Sequence, residues 1–197
     1  MYRLSFTAAA FRLAESIRLA EVYQQHADWQ AVRRIAVADD ILQLGRSVTI
    51  NRESRELIHR LKQLTDSEVD FLLRTDTVSQ RQLLFLAVCR TYPFIRNFVL
   101  QIVRVNYQRF EFDISETDYR RFFNQQISLY DELDRLSDSS KAKIRQVLFK
   151  ILEGAGYIIS SQQRTITRPV VLTSLIDLIR QTRPADLPLL LFNDQEI

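Results

Sequence analysis

The strongest constraint on the fold lies between residues 136 and 169, where a predicted helix is followed by two short strands. A serine cap precedes a basic helix over 140–153, and the glycines that follow favour a turn. Residues 157–160 and 164–167 have the pattern of two strands joined in a hairpin. A helix followed by a two-stranded wing is the order of a winged helix-turn-helix, a class of domain that contacts nucleic acid.

The rest of the chain favours long helices because glycine and proline are scarce. Only 3 Gly and 4 Pro occur in 197 residues, and a β-rich chain needs many of both in its turns. Helix starts are predicted at Asp28, at the capping box that begins with Thr65, at Ser115, and at Ser137 or Ser139. We therefore expect a mainly α fold.

The expected architecture is a helical bundle with a helix-turn-helix-like N-terminal part and a winged-helix-like C-terminal part that carries a short β-hairpin. The predicted divisions are an N-terminal helical part over 1–75, a central helical core over 76–130, and the winged-helix-like part with its tail over 131–197. The apolar tail sequence LPLLLF is either a strap over the core or a docking segment for a partner, and the sequence leaves both interpretations open.

The helix over 140–153 carries basic and amide side chains opposite its apolar face. Lysine neutralises phosphate and glutamine pairs with an adenine edge, so these residue types suit DNA. Six Lys or Arg against one acid between residues 141 and 168 make this region more basic than the whole chain, whose net charge is +3. The alternative is a solvated face without a ligand. The predicted DNA contacts here are Lys141, Lys143, Arg145, Gln146, Lys150, Arg164 and Arg168.

A second basic helix is predicted over 47–64, after a short helical piece at 39–44 that ends at Gly45. This order places the helix in the recognition position of a helix-turn-helix. Glu53 and Glu56 are expected to dilute its field, and a salt-bridged solvent face is an equal alternative to DNA contact. The predicted DNA contacts of this helix are Arg46, Arg52, Arg55, His59 and Lys62.

The sequence lacks the usual residue patterns of an enzyme. Cys89, the only cysteine, lies in an apolar run and is expected to be a buried hydrophobic residue, and the two histidines are not spaced as zinc ligands. The acids between residues 131 and 138 precede a helix, where they complement its dipole. We expect no catalytic residue, no metal or other cofactor, and no small-molecule substrate. Cysteine usage and the absence of an uncharged membrane-length span predict a cytoplasmic protein without a membrane partner.

Three blocks of sequence resemble the BrxA family, a small component of bacterial BREX phage-defence systems. The blocks are YRLSFTAAA, LAVCRTYPFIRNF and LDRLSDSSKAKIRQVLFKILEGAGYI, which occur in that order along nearly the whole chain. The resemblance implies a nearly all-helical protein with helix-turn-helix-like parts that binds DNA. It supplies no catalytic residues, so the sites above rest on the residue pattern alone.

The function predicted from these observations is non-catalytic binding of double-stranded DNA, together with other BREX defence proteins as partners. Basic helices and a wing would contact the DNA backbone. Two alternatives stay open: an RNA-binding module of antitermination type, and a protein scaffold that assembles the defence complex.

Overall fold

Helices make up most of the computed structural model, which describes residues 3–193. Short 3₁₀ segments, Ser5–Ala8 and Pro184–Leu190, lie at the two ends, and a π-helical turn, Val99–Val103, joins α6 to α7. The α-helices are α1 (Leu13–His26), α2 (Trp29–Ala38), α3 (Ser47–Leu61), α4 (Asp66–Arg74), α5 (Thr77–Thr91), α6 (Pro93–Phe98), α7 (Arg104–Gln108), α8 (Glu116–Leu129), α9 (Asp131–Asp134), α10 (Asp138–Ala155) and α11 (Thr173–Thr182).

The predicted caps are confirmed at four helix starts. The Asp28 carboxylate accepts two backbone N–H bonds of the first turn of α2, and Thr65 and Ser115 each begin a capping box. Ser137, not Ser139, caps α10 by accepting a bond from the backbone N–H of Ser140. These bonds satisfy backbone donors that the first helical turn cannot satisfy internally.

Helix α5 forms the centre of the core. All residues from Gln82 to Cys89 are buried, and burial raises the pKa of the Cys89 thiol, as expected for an unreactive hydrophobic position. The apolar run that begins at Leu83 predicts a helix from that residue, but the helix begins six residues earlier, at Thr77, because Asp76 caps it. Pro93 then begins α6, and the axis bends by 110° between Thr77–Thr91 and Pro93–Gln108.

Between residues 3 and 193, no single helix is long and apolar enough to span a membrane. The bent pair Thr77–Thr91 and Pro93–Gln108 meets the length and composition requirements only when its two helices are taken together.

The predicted C-terminal β-hairpin is wrong, because the described chain contains no strand and only two isolated bridges, Asp113↔Thr165 and Ile158↔Ile166. The chain does reverse here: the N–H of Ile159 donates to the carbonyl of Thr165 at 3.0 Å. However, the backbone of Ile166 donates to Phe112 in a third segment, at 2.6 Å. Pairing is thus shared among three short segments and no two of them form a ladder. A winged helix is not confirmed by this geometry.

The predicted helical piece at 39–44 is also replaced by a turn. The Asp40 carboxylate accepts bonds from the backbone N–H groups of Leu44 (2.9 Å) and Gly45 (2.8 Å), and these local bonds compete with helical ones. Gly45 has a φ of +69°, in the left-handed region that glycine adopts without strain. Helices α2 and α3 are therefore joined by a turn of eight residues.

The tail is a strap over the core. Leu187, Leu189, Leu190 and Leu191 are buried, and the Tyr157 hydroxyl donates to the carbonyl of Leu189 at 2.8 Å. The structure thus decides between the two interpretations of LPLLLF that the sequence leaves open.

Candidate nucleic-acid interface

Helix α3 buries both of its acidic side chains and exposes Arg52 and Arg55 on its outer face. Glu53 is buried and pairs with Arg12 at 3.0 Å, and Glu56 is buried and accepts a bond from Ser5 at 2.9 Å. The prediction that these acids dilute the field of the outer face is therefore wrong. Their carboxylates point inward and hold the N-terminal segment, which local charge spacing could not reveal.

The outer face of α3 retains exposed cations that form no ion pair in the part of the chain that the structure describes. Arg52, Arg55 and Lys62 are exposed, and Arg46 is exposed at the start of the helix. His59 differs, because burial and the nearby charge of Arg3 lower its pKa. At neutral pH the imidazole therefore adds no positive charge to this face.

Helix α2 extends the same surface with two arginines that the sequence analysis missed. Arg33 and Arg34 are exposed, and Arg33 donates two hydrogen bonds to the side-chain oxygen of Asn51 on α3, at 3.3 and 3.0 Å. Gln30, Arg33 and Arg34 are spaced i, i+3 and i+4, a pattern visible in the sequence. We call the set Arg33, Arg34, Arg46, Arg52, Arg55 and Lys62 the N-terminal basic face.

The C-terminal cluster is different because its two central arginines share one carboxylate. Glu116 on α8 accepts a bond from Arg145 at 2.5 Å and another from Arg164 at 3.0 Å. Burial alone would raise the pKa of Glu116, but these two arginines lower it overall, so the carboxylate stays ionised at neutral pH. The Arg164 guanidinium also lies over the Phe149 ring, 4.1 Å from its centroid.

The remaining predicted contacts near α10 are also partly engaged. Lys150 pairs with Glu153 at 3.0 Å, and Arg168 lies 5.3 Å from the centroid of the Phe192 ring. Lys143 donates to Gln146 at 3.1 Å, so these two side chains share one exposed face, as the periodicity predicted.

Lys141 is half-buried and lines a small cavity of about 250 Å³ between α8 and α10, next to Tyr119 and Arg145. The structure thus brings together the predicted residues of α10 and the turn after it. Two carboxylates, those of Glu116 and Glu153, offset part of the charge of these six cations.

Comparisons with known proteins agree along most of the chain. A family model described as BrxA matches residues 1–183. The BREX protein BrxA of Escherichia coli O9:H4 (strain HS) is 28% identical over 152 residues, which cover 77% of this chain and 71% of that protein. The BREX protein BrxA of Bacillus cereus (strain H3081.97) is 21% identical over 150 residues, which cover 76% and 75% respectively.

The fold also recurs in a solved structure. The crystal structure of an uncharacterized protein from Magnetospirillum magneticum matches with a TM-score of 0.83, covering 96% of this chain and 97% of that one. The sequence identity is 17%, so this match establishes a shared fold and nothing about function.

Proposed function

The chain belongs to the BrxA family, and from this membership we propose that it is a component of a BREX phage-defence system that binds double-stranded DNA without catalysing a reaction. The names of the E. coli and B. cereus relatives support the assignment to BREX. The absence of nucleotide-binding and metal-ligand patterns from the sequence supports a binding role.

One observation carries the choice of DNA as ligand: the N-terminal basic face presents six exposed cations that form no ion pair within residues 3–193. By contrast, Arg145 and Arg164 in the C-terminal cluster share the carboxylate of Glu116. Duplex DNA carries one negative charge per about 1.7 Å of its axis, and cations that contact it release condensed counterions. An uncompensated arginine face on two adjacent helices is suited to this polyanion.

Charge reversal at the two ends of the molecule tests the proposal. We expect a double variant with Arg52→Glu and Arg55→Glu to lose most binding to a short DNA duplex. A control double variant with Lys143→Glu and Lys150→Glu should lose less. The control pair changes the net charge equally, but Lys150 is already paired with Glu153. Affinity is measured between about 50 and 200 mM salt, where each lost phosphate contact makes the log–log slope shallower by about 0.9.

If the Arg52 and Arg55 double variant keeps the wild-type affinity and the wild-type slope of log affinity against log salt, α3 does not bind DNA. The same titrations with an RNA hairpin separate duplex-DNA binding from the antitermination-type alternative. Tighter binding to the hairpin than to the duplex would favour that alternative.

A further inference from the structure

We propose that the groove between α2 and α3 is a phosphate-binding site that contacts the nucleic-acid backbone and does not read base edges. This proposal rests on the proposed function and adds to it where the backbone lies and why recognition at this site is independent of base sequence.

One face of α2 forms a wall of the groove. Gln30, Arg33, Arg34, Val37 and Ala38 are spaced i, i+3, i+4, i+7 and i+8, and Asn51 faces them from α3. The groove has a volume of about 640 Å³, which accommodates a phosphate and its adjoining sugar. Its lining contains two arginines and two amides but no carboxylate.

The hydrogen bond between the two walls fixes the orientation of the Asn51 amide. Arginine can only donate, so the atom of Asn51 that contacts Arg33 Nε and Nη2 is the oxygen, at 3.3 and 3.0 Å. The amide nitrogen of Asn51, a residue that lines the groove, makes no hydrogen bond within residues 3–193. Asparagine recognises adenine through an acceptor and a donor together, and here the acceptor is already occupied.

The charged groups of the groove are therefore all donors, next to the apolar side chains of Val37 and Ala38. Arg33 uses Nε and Nη2 toward Asn51 and keeps its Nη1 hydrogens, while Arg34 has no hydrogen bond or ion pair within residues 3–193. A ligand that matches several donors and two positive charges is rich in acceptors and anionic, as a phosphodiester is.

Asp28 offsets part of this charge, because backbone N–H bonds at the start of α2, and also the charges of Arg34 and Lys62, lower its pKa and keep it ionised. Asp28 and Asp40 accept bonds from backbone N–H groups at the two ends of α2, at 2.8 to 3.0 Å. Asp39 is exposed immediately after α2 and does not line the groove.

The test compares a double variant, which combines Arg33→Gln and Arg34→Gln, with the single variant Asn51→Ala. The double variant removes two positive charges, so we expect its slope of log affinity against log salt to be shallower by about 1.8. The factor by which affinity falls when salt is raised from about 50 to about 200 mM is then about ten times smaller than in the wild type. Asn51→Ala removes the hydrogen bond between the walls but keeps both charges, and we expect it to retain the wild-type slope. Both variants should give the same ranking of duplexes of different base sequence as the wild type.

Each further outcome overturns a different statement. If the double variant keeps the wild-type slope while the Arg52 and Arg55 reversal abolishes binding, the groove proposal fails and the proposed function stands. If neither changes binding, the proposed function fails. A changed ranking of sequences in Asn51→Ala would show base readout. If wild type binds a mononucleotide, and the double variant loses this binding but not duplex binding, the phosphate comes from a free nucleotide and the backbone assignment is wrong.

Discussion

Replacing Glu116 by glutamine should unmask two arginines of the C-terminal cluster. The carboxylate holds Arg145 at 2.5 Å and Arg164 at 3.0 Å, and glutamine cannot balance the charge of either. Because the pKa of Glu116 is lowered, the pairs are intact at neutral pH and the substitution removes a real negative charge. If both arginines then reach phosphates, the slope of log affinity against log salt steepens by up to about 1.8.

The stability cost of this change is small. The side chains of Glu116 and Arg145 are each 40% exposed, and that of Arg164 is 22% exposed. Pairs exposed to this degree contribute about 0–1 kcal/mol each, so the free energy of unfolding should fall by no more than about 2 kcal/mol. A urea titration measures this loss independently of DNA binding.

The matched control is Asp131→Asn, which changes the net charge equally at an exposed position without an ion pair in the described structure. Duplex affinity is measured across the same salt series for both variants. A steeper slope in Glu116→Gln alone shows that masked arginines have become phosphate contacts. Equal slopes in wild type, variant and control would refute the argument that Glu116 keeps Arg145 and Arg164 from DNA.

Two further predictions concern the buried charges that join α4, α5 and the tail. Arg90 contacts Glu68 at 2.7 Å and Asp186 at 2.7 Å, and all three side chains are at most 4% exposed. Arg90→Met leaves two buried carboxylates without this partner, so the free energy of unfolding measured in urea should fall by about 3–5 kcal/mol; a loss below about 1 kcal/mol would contradict this assignment. Burial raises the pKa of Glu68, but bonds from Arg90 and from two threonines lower it overall, so its folded pKa lies below its unfolded one. Its stabilisation is complete above the unfolded value of about 4.3 and is lost as the pH falls further; Glu68→Gln should show a weaker loss over that range.

Local patterns predicted the helices well because caps and apolar periodicity act over a few residues. Asp28, Thr65 and Ser115 begin helices where their side chains can accept first-turn N–H bonds. The start of α5 was predicted late because its first turn is polar and Asp76 was not recognised as its cap. The hairpin failed because strand-like residues do not reveal a third segment, at Phe112, that competes for the same backbone groups.

The charge balance of the candidate surfaces could not be predicted, since the decisive pairs are distant in sequence. Glu116 lies 29 residues from Arg145 and 48 from Arg164, so helical spacing gives no indication of this pairing. Glu53 turns inward because Arg12, 41 residues away, meets it there. The more basic region by sequence is thus the more neutralised one in the fold, and the N-terminal basic face gains importance.

Removal of the tail should destabilise the whole protein, although the sequence allowed it to be a separable docking segment. Four buried leucines between Leu187 and Leu191 are removed in a chain that ends at Arg183. Each fully buried leucine contributes about 1.5–3 kcal/mol, so the loss is comparable with the whole stability of an ordinary domain. Arg90 also loses its bond to Asp186.

A scaffold whose tail docks a partner makes a different prediction: the truncated chain would stay folded and bind DNA normally while assembly fails. We expect circular dichroism melting and duplex binding to be lost together. Leu190→Asp is the point-substitution version of the test, because it buries a charge without shortening the chain. A truncated protein with a wild-type melting temperature would show that these leucines are dispensable for the core and would restore the docking interpretation.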